Sequence, residues 1–233
     1  NGGVVSGKFR LAFSEIAARY GTDTARRMHD LGIEAIDHVG ELVEDYGIAA
    51  ADYQPTGSLR CAHNAVSLTS LKKEVEWLHQ ALGDRACSIL SAAEMEAETG
   101  SRDFLGGMLN THGGIIHPLN FVFGIAAGLK KSGIDIFENT PVTGLRREGP
   151  GVLLETPGGT ITAGQAVIAS NSYSDLTSAT SAVRKAIIPF RSAMIATAPL
   201  SGTPGAGLLA QDRSYTETRR MMRWFRKAGD RLL

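Results

Sequence analysis

Apolar residues recur at helical spacing in two long stretches of the chain and at strand spacing in several shorter ones. Over 23–46, Ala25, Met28, Ala35, Ile36, Val39, Leu42, Val43 and Tyr46 keep a helical period, and Gly47 ends the pattern. Gly32 and Gly40 lie inside this predicted helix, each weakening it by roughly 1 kcal/mol against alanine. A shorter helix is expected over 14–20, stopped at Gly21. Leu68, Leu71, Val75, Leu78 and Leu82 form one face of a helix over 67–82, with Trp77 and His79 on its flanks. Ser91-Ala92-Ala93-Glu94 has the spacing of a capping box, which opens a short helix ending near Gly100. Residues 57–63 and 104–110 read as strands, and Gly106-Gly107 predicts a bulge or a close backbone approach.

The stretch 112–145 organises the rest, reading as strand, helix, strand and entry into another strand. Pro118 suits a first helical turn, where its missing N–H is not needed. Residues 119–129 are apolar on nearly every face, which predicts a helix buried all round, its small residues lying against a sheet. Lys130 and Lys131 suit the last turn and Gly133 the cap. Ile134, Ile136 and Phe137 then predict a short strand, broken by Asn139-Thr140-Pro141. Residues 142–145, 152–156 and 160–162 read as short strands, the last two joined by a Pro-Gly-Gly turn. The apolar run 166–169 has the look of a buried parallel strand and ends in the polar loop 170–172. The expected class is therefore α/β, or mixed α+β, with a small antiparallel excursion between two parallel strands. Ligands of open α/β sheets bind beyond the carboxyl ends of strands, which makes Thr140, Val142 and 170–172 candidates. Further on, 186–199 predicts a second long strand bent or edged at Pro189, 201–207 a loop, and 219–227 with 231–233 two strands joined at 228–230.

The chain has 233 residues with 24 basic and 24 acidic side chains, so it carries no net charge that would point to nucleic acid. No apolar run reaches membrane-spanning length and no secretory leader is visible, so a cytoplasmic location is expected. The two cysteines, Cys61 and Cys87, form no CxxC pair or Cys/His cluster, and a metal site is not expected. Both are read as buried small apolar residues. No GxSxG, HExxH or phosphate-loop motif occurs. His29 and His38 are read as structural. His112 and His117 flank Gly-Gly, with a packing or backbone-bonding role for His117 weighed against a place beside a cofactor. The five arginines 219, 220, 223, 226 and 231 read as a solvated sheet face, or as holding one inward Arg that pairs with a substrate carboxylate.

The ordered runs NGG at 1–3, GGMLN at 106–110, GGIIHP, KKSG, ENTPVTGL, TPGGTITAGQAVIASNSYSDL, ATAPL at 196–200 and AGDRLL at 228–233 resemble the FAD-dependent amine and D-amino-acid oxidoreductases. The likeness covers nearly the whole chain and extends to glycine, sarcosine and gamma-glutamylputrescine oxidases. It implies a partial FAD-binding, Rossmann-like domain with a β-meander, formed by 1–48 and 112–185. It implies an interleaved antiparallel-sheet substrate domain, with helices on one side, formed by 49–111 and 186–233. Carried over by position, Asn1, Gly2 and Gly3 pass beside the flavin, the Val142 backbone meets the adenine, and Ala169, Ser170 and Asn171 lie near the cofactor phosphates. His117 is the candidate on the active-site side.

The chemistry implied is hydride transfer from the amine-bearing carbon of a small amine or amino acid to the flavin, followed by hydrolysis of the imine. Such an enzyme needs no visible catalytic dyad. The family's GxGxxG unit and C-terminal segment are absent from these residues, so the chain is expected to be the middle of a longer flavoprotein. A truncated relative serving as a binding or structural module is the alternative.

Overall fold

The computed structural model describes residues 1–174, 178–180, 183, 185–190 and 192–233. They form two compact units, Asn1–Ser132 with Met194–Leu233, and Gly133–Ala193. The first unit opens with β1 (Val4–Val5), α1 (Phe13–Tyr20), α2 (Thr22–Asp45), β2 (Ser58–Ala62) and α3 (Ala65–Trp77). It continues through β3 (Cys87–Ser91), α4 (Ala92–Thr99), β4 (Gly106–Asn110), β5 (Gly114–Ile115) and α5 (Pro118–Lys131). The second unit contributes β6 (Gly144–Glu148), β7 (Gly151–Thr156) and β8 (Gly159–Ala163). The chain then returns to the first with β9 (Ser214–Glu217), β10 (Trp224–Phe225), β11 (Lys227–Ala228) and β12 (Arg231–Leu232).

The first unit is built on a five-stranded sheet in the order β10-β9-β2-β4-β3, antiparallel except for the parallel pair β2–β9. The ladder is continuous through Gly106 and Gly107, so no bulge forms there. The close approach does occur: a Cβ on Gly107 would meet Met95 Sδ at 2.5 Å, and one on Gly106 would meet Leu68 at 2.8 Å. Because strand side chains alternate between faces, the register divides the sheet cleanly. Leu59, Cys61 and Tyr215 turn to one face and pack with Met95 of α4, Phe104 and Leu209. Cys87, Ile89 and Met108 turn to the other and pack with Val75 and Leu78. The helices therefore cover both faces, α4 one and α3 the other, in contrast to the one-sided arrangement expected.

The capping box predicted for α4 forms, and α3 starts at Ala65, two residues before the predicted 67. Asn64 caps α3 by accepting from the Ser67 N–H at 2.8 Å. Ser91 and Glu94 close the capping box on α4, the Ser91 N–H reaching Glu94 Oε2 at 2.7 Å. A π-helical turn, Leu78–Leu82, extends α3 to Gly83, whose φ of 75° ends it. Helix α5 is not buried all round: Leu119, Val122 and Phe123 are 56–64% exposed. Its small residues meet side chains near the end of α2 rather than a sheet, Gly124 against Ile48 and Gly128 against Tyr46.

In the second unit the expected meander is present, β6, β7 and β8 pairing in that order without a break in register. The flanking runs 134–137 and 166–169 are not strands. A strand exists through the hydrogen bonds of a neighbour, and neither run has one among the described residues; Val167 is 90% exposed. Over 186–199 no strand forms among the described residues, residue 191 lying outside them. Within 219–227 only the short β10 and the start of β11 are strands. No helix among the described residues is long and apolar enough to cross a membrane.

Candidate active site

The polar part of the α3-side sheet face is left open beyond α3. Arg60 stands opposite Met108 on one neighbouring strand and Thr216 on the other, with Ser58 and Asn110 two residues along. The segment 6–13 and α2 close over these side chains to form an open cleft of about 920 Å3, mouth included, within the first unit. The segment is held against α2 by a glycine–glycine contact: a Cβ on Gly7 would lie 2.2 Å from Gly32 O, and one on Gly32 2.3 Å from Gly7 O. Only a side chain without Cβ lets the two backbones approach so closely.

The ionisable groups lining the cleft are Lys8, Arg10, His29, Arg60, Glu74, Asp84 and His112. Both acids are already engaged. Glu74 accepts the Phe13 N–H at 2.8 Å and the Ser14 hydroxyl, so a side chain from α3 satisfies the free amide at the start of α1. Asp84 accepts the Ala86 N–H at 2.7 Å and lies 3.0 Å from His29 Nε2. The His29 ring meets Phe13 edge-on at 5.2 Å. Burial, reinforced by Asp84 and Glu74, pushes the Cys87 thiol up to about 12, and burial with Glu217 and Glu98 does the same to Cys61. Both thiols are free, buried and protonated at neutral pH. Among the described residues no His/Cys/Asp/Glu group is placed to hold a metal.

A second corner of this unit gathers the N-terminal candidates. The β1–β5 pair places Val4 beside Ile115, and the Ile116 N–H donates to Gly3 O at 2.8 Å. Asn1 folds back so that its Oδ1 accepts the Gly3 N–H at 3.0 Å. Gly3 has a φ of 74° and would place a Cβ 2.0 Å from Ile116 O, whereas the space above Gly2 is open. Arg226 pins this corner: its guanidinium donates to Gly2 O at 2.7 Å, Ile116 O at 3.2 Å and Lys227 O at 3.0 Å. It is the inward arginine of the five, and its bonds go to main-chain carbonyls rather than to a carboxylate. Burial lowers its pKa from the usual guanidinium value, opposed by Asp52. Arg219 and Arg223 instead lie 3.3 and 3.1 Å from Glu217.

His117 caps α5, its Nδ1 accepting the Asn120 N–H at 3.2 Å. His117 does not line the cleft that contains His112.

The other candidates lie in the second unit. Val142 precedes β6, and its main-chain N–H and C=O have no partner among the described residues. Ala169 is exposed, and Ser170 and Asn171 open a single 3-10 turn in which the Ser170 and Ser174 hydroxyls are 2.7 Å apart. Asn171 adopts a φ of 49°. The open space above Gly2 leaves room for a group that meets main chain there.

Sequence reasoning missed Lys8, Arg60 and the His29–Asp84 pair. Arg60 carried a signal, a lone charge alternating with apolar strand neighbours; Lys8 carried none.

The family described as FAD dependent oxidoreductase (DAO) matches residues 1–233. The chain belongs to this family. Among similar proteins, the probable oxidoreductase OrdL of Rhizobium meliloti is 30% identical over 230 residues, covering 99% of this chain and 52% of that protein. Gamma-glutamylputrescine oxidoreductase of Escherichia coli is 31% identical over 174 residues, 74% of this chain and 40% of that one. The chain spans about half the length of the curated relatives it matches over its full extent. Glycine oxidase from Geobacillus kaustophilus shares the fold with a TM-score of 0.67 at 17% identity, over 99% of this chain and 58% of that one. L-amino acid deaminase from Proteus vulgaris does so with a TM-score of 0.64 at 17% identity, over 100% and 50%.

Proposed function

We propose that the whole protein oxidises the C–N bond of a small amine or amino acid with FAD as acceptor, and that the cleft of the first unit receives the substrate. The observation that carries this reading is the family match across residues 1–233. The flavin, when bound, supplies the hydride acceptor, and the imine released is hydrolysed.

The chain's own residues supply position. Ser58, Asn110 and Thr216 offer polar contacts from a rigid sheet, while Leu11, Ile33 and Met108 line the same cleft and exclude water. Asn1, Gly2 and Gly3 would present main chain to the flavin, held in place through Arg226 and Gly2 O. Val142 would present its backbone to the adenine, with Ala169, Ser170 and Asn171 on the phosphate side. His117 would stand on the active-site side at the start of α5, its Nδ1 engaged by the Asn120 N–H. On this reading 1–48 and 112–185 form the cofactor side and 49–111 and 186–233 the substrate side, with the segment 6–13 and α2 of the cofactor side also lining the substrate cleft.

The test is a screen of the full-length flavoprotein for peroxide release and dye reduction. Amines, D-amino acids and N-substituted glycines are the substrates to compare, and a gamma-glutamyl amine belongs among them because of the relative's name. Turnover with at least one is expected. Flavin bound with no turnover of any would instead favour a binding or structural role.

A further inference from the structure

We propose that Arg226 is a positioning residue for the cofactor: it fastens the Gly2 and Ile116 carbonyls into one rigid main-chain platform for the flavin and sets beside it a positive charge that favours the reduced form. This rests on the reading that Asn1, Gly2 and Gly3 face the flavin. The guanidinium donates to Gly2 O at 2.7 Å and to Ile116 O at 3.2 Å. The two peptide units gripped in this way are also held at their N–H ends. The Gly3 N–H reaches Asn1 Oδ1 at 3.0 Å, and the His117 N–H reaches Ala51 O at 2.7 Å. The Ile116 N–H donates to Gly3 O at 2.8 Å, which ties one unit to the other. Arg226 is fixed in turn, since its main chain exchanges two hydrogen bonds with Leu233, at 3.2 and 2.9 Å. Phe225, just before it, stacks on Tyr215 with ring centroids 5.4 Å apart.

Among the described residues no carboxylate bonds this buried guanidinium; its third hydrogen bond goes to Lys227 O at 3.0 Å. Burial lowers its pKa, and the exposed Asp52 opposes the shift. Asp52 itself accepts from Gln54 Nε2, 3.1 Å from each carboxylate oxygen. A buried cation held by neutral carbonyls carries a desolvation cost that a nearby anion offsets. A hydride delivered to a neutral flavin ring leaves it with one negative charge, so the offset arises on reduction and not before. A charge fixed in advance stabilises such developing charge without reorganising. Gly3 lets the guanidinium come this close to the N-terminal run: at its φ of 74° a Cβ would lie 2.8 Å from Arg226 Nη2.

The test uses the full-length holoprotein and two readouts, the FAD Kd by fluorescence and the flavin reduction potential by titration against a redox dye. Arg226→Met should weaken FAD binding roughly ten- to a hundredfold. It should also move the reduced-to-oxidised ratio about tenfold toward the oxidised form at a fixed potential, about 30 mV for a two-electron couple. Arg226→Lys keeps the charge and loses the fork, so it should restore the potential but not the affinity. Asp52→Asn removes the opposing charge without touching the clasp and should raise the potential. Asn tolerates the left-handed backbone at position 52, where φ is 45°. This variant reads the charge even where circular dichroism shows Arg226→Met unfolded. Gly2→Val fills space that is open in this chain and should weaken FAD at least roughly tenfold. An unchanged FAD Kd in Gly2→Val would remove the reading of this corner and the inference with it. A weakened Kd there, with the potential unchanged in both Arg226→Met and Asp52→Asn, would overturn the role of Arg226 alone.

Discussion

At the scale of single residues, glycine at position 32 runs against its local setting and is explained only by a distant one. In the interior of a 24-residue helix alanine would be favoured by about 1 kcal/mol. A Cβ there would lie 2.3 Å from Gly7 O, across the contact that roofs the cleft. Gly32→Ala is therefore expected to destabilise the protein by about 1–3 kcal/mol, as overpacking does. The urea midpoint reads this directly, and a raised midpoint would show that the segment 6–13 can shift freely. Arg226 has the same character: it is hydrophilic by type, yet 8% exposed and bound to three main-chain carbonyls.

At the scale of elements, local chemistry settles helix ends more firmly than strands. The capping box of α4 uses four consecutive residues and forms as the sequence predicts. Hydrogen bonds from the Ser91 backbone and hydroxyl lower the Glu94 pKa. A carboxylate whose folded pKa lies below its unfolded one contributes stability above the unfolded value. That contribution is lost as pH falls through the folded value. Glu94→Gln should thus lower the Tm at neutral pH, and the difference should vanish in acid below the usual carboxylate range. A gap that persists there would mean that shape rather than charge makes the cap. Strands lack such local determinants, which is why apolar runs at 134–137 and 166–169 read as strands without pairing as strands.

At the scale of the whole molecule, apolar side chains remain uncovered in the second unit. Val167 is 90%, Ile188 85% and Phe190 92% exposed. Exposed apolar side chains drive association where they gather. A polypeptide of these 233 residues is expected to bind a hydrophobic dye and self-associate with rising concentration. Ile188→Thr with Phe190→Ser should reduce the light scattering without lowering the Tm. Unchanged scattering would place the associating surface elsewhere, the exposed side of α5 being the next to test.

The sequence by itself determined the helices, the capping box of α4, the meander and the family, because periodicity, capping residues and turn glycines act over a few positions and the family motifs keep their order. At Gly106 and Gly107 it left a bulge or a close approach open, and the packing of Met95 and Leu68 against the sheet decided for the latter. What only the tertiary structure decided were long-range matters. The parallel pairing of β2 with β9 joins residues more than 150 positions apart and sets which side chains share the cleft face. It turned Arg60 toward the cleft and Cys61 into the core, which single-strand alternation leaves ambiguous until the sheet acquires an inside. Which of five arginines turned inward depended on carbonyls at Gly2 and Ile116, brought to Arg226 by the fold alone.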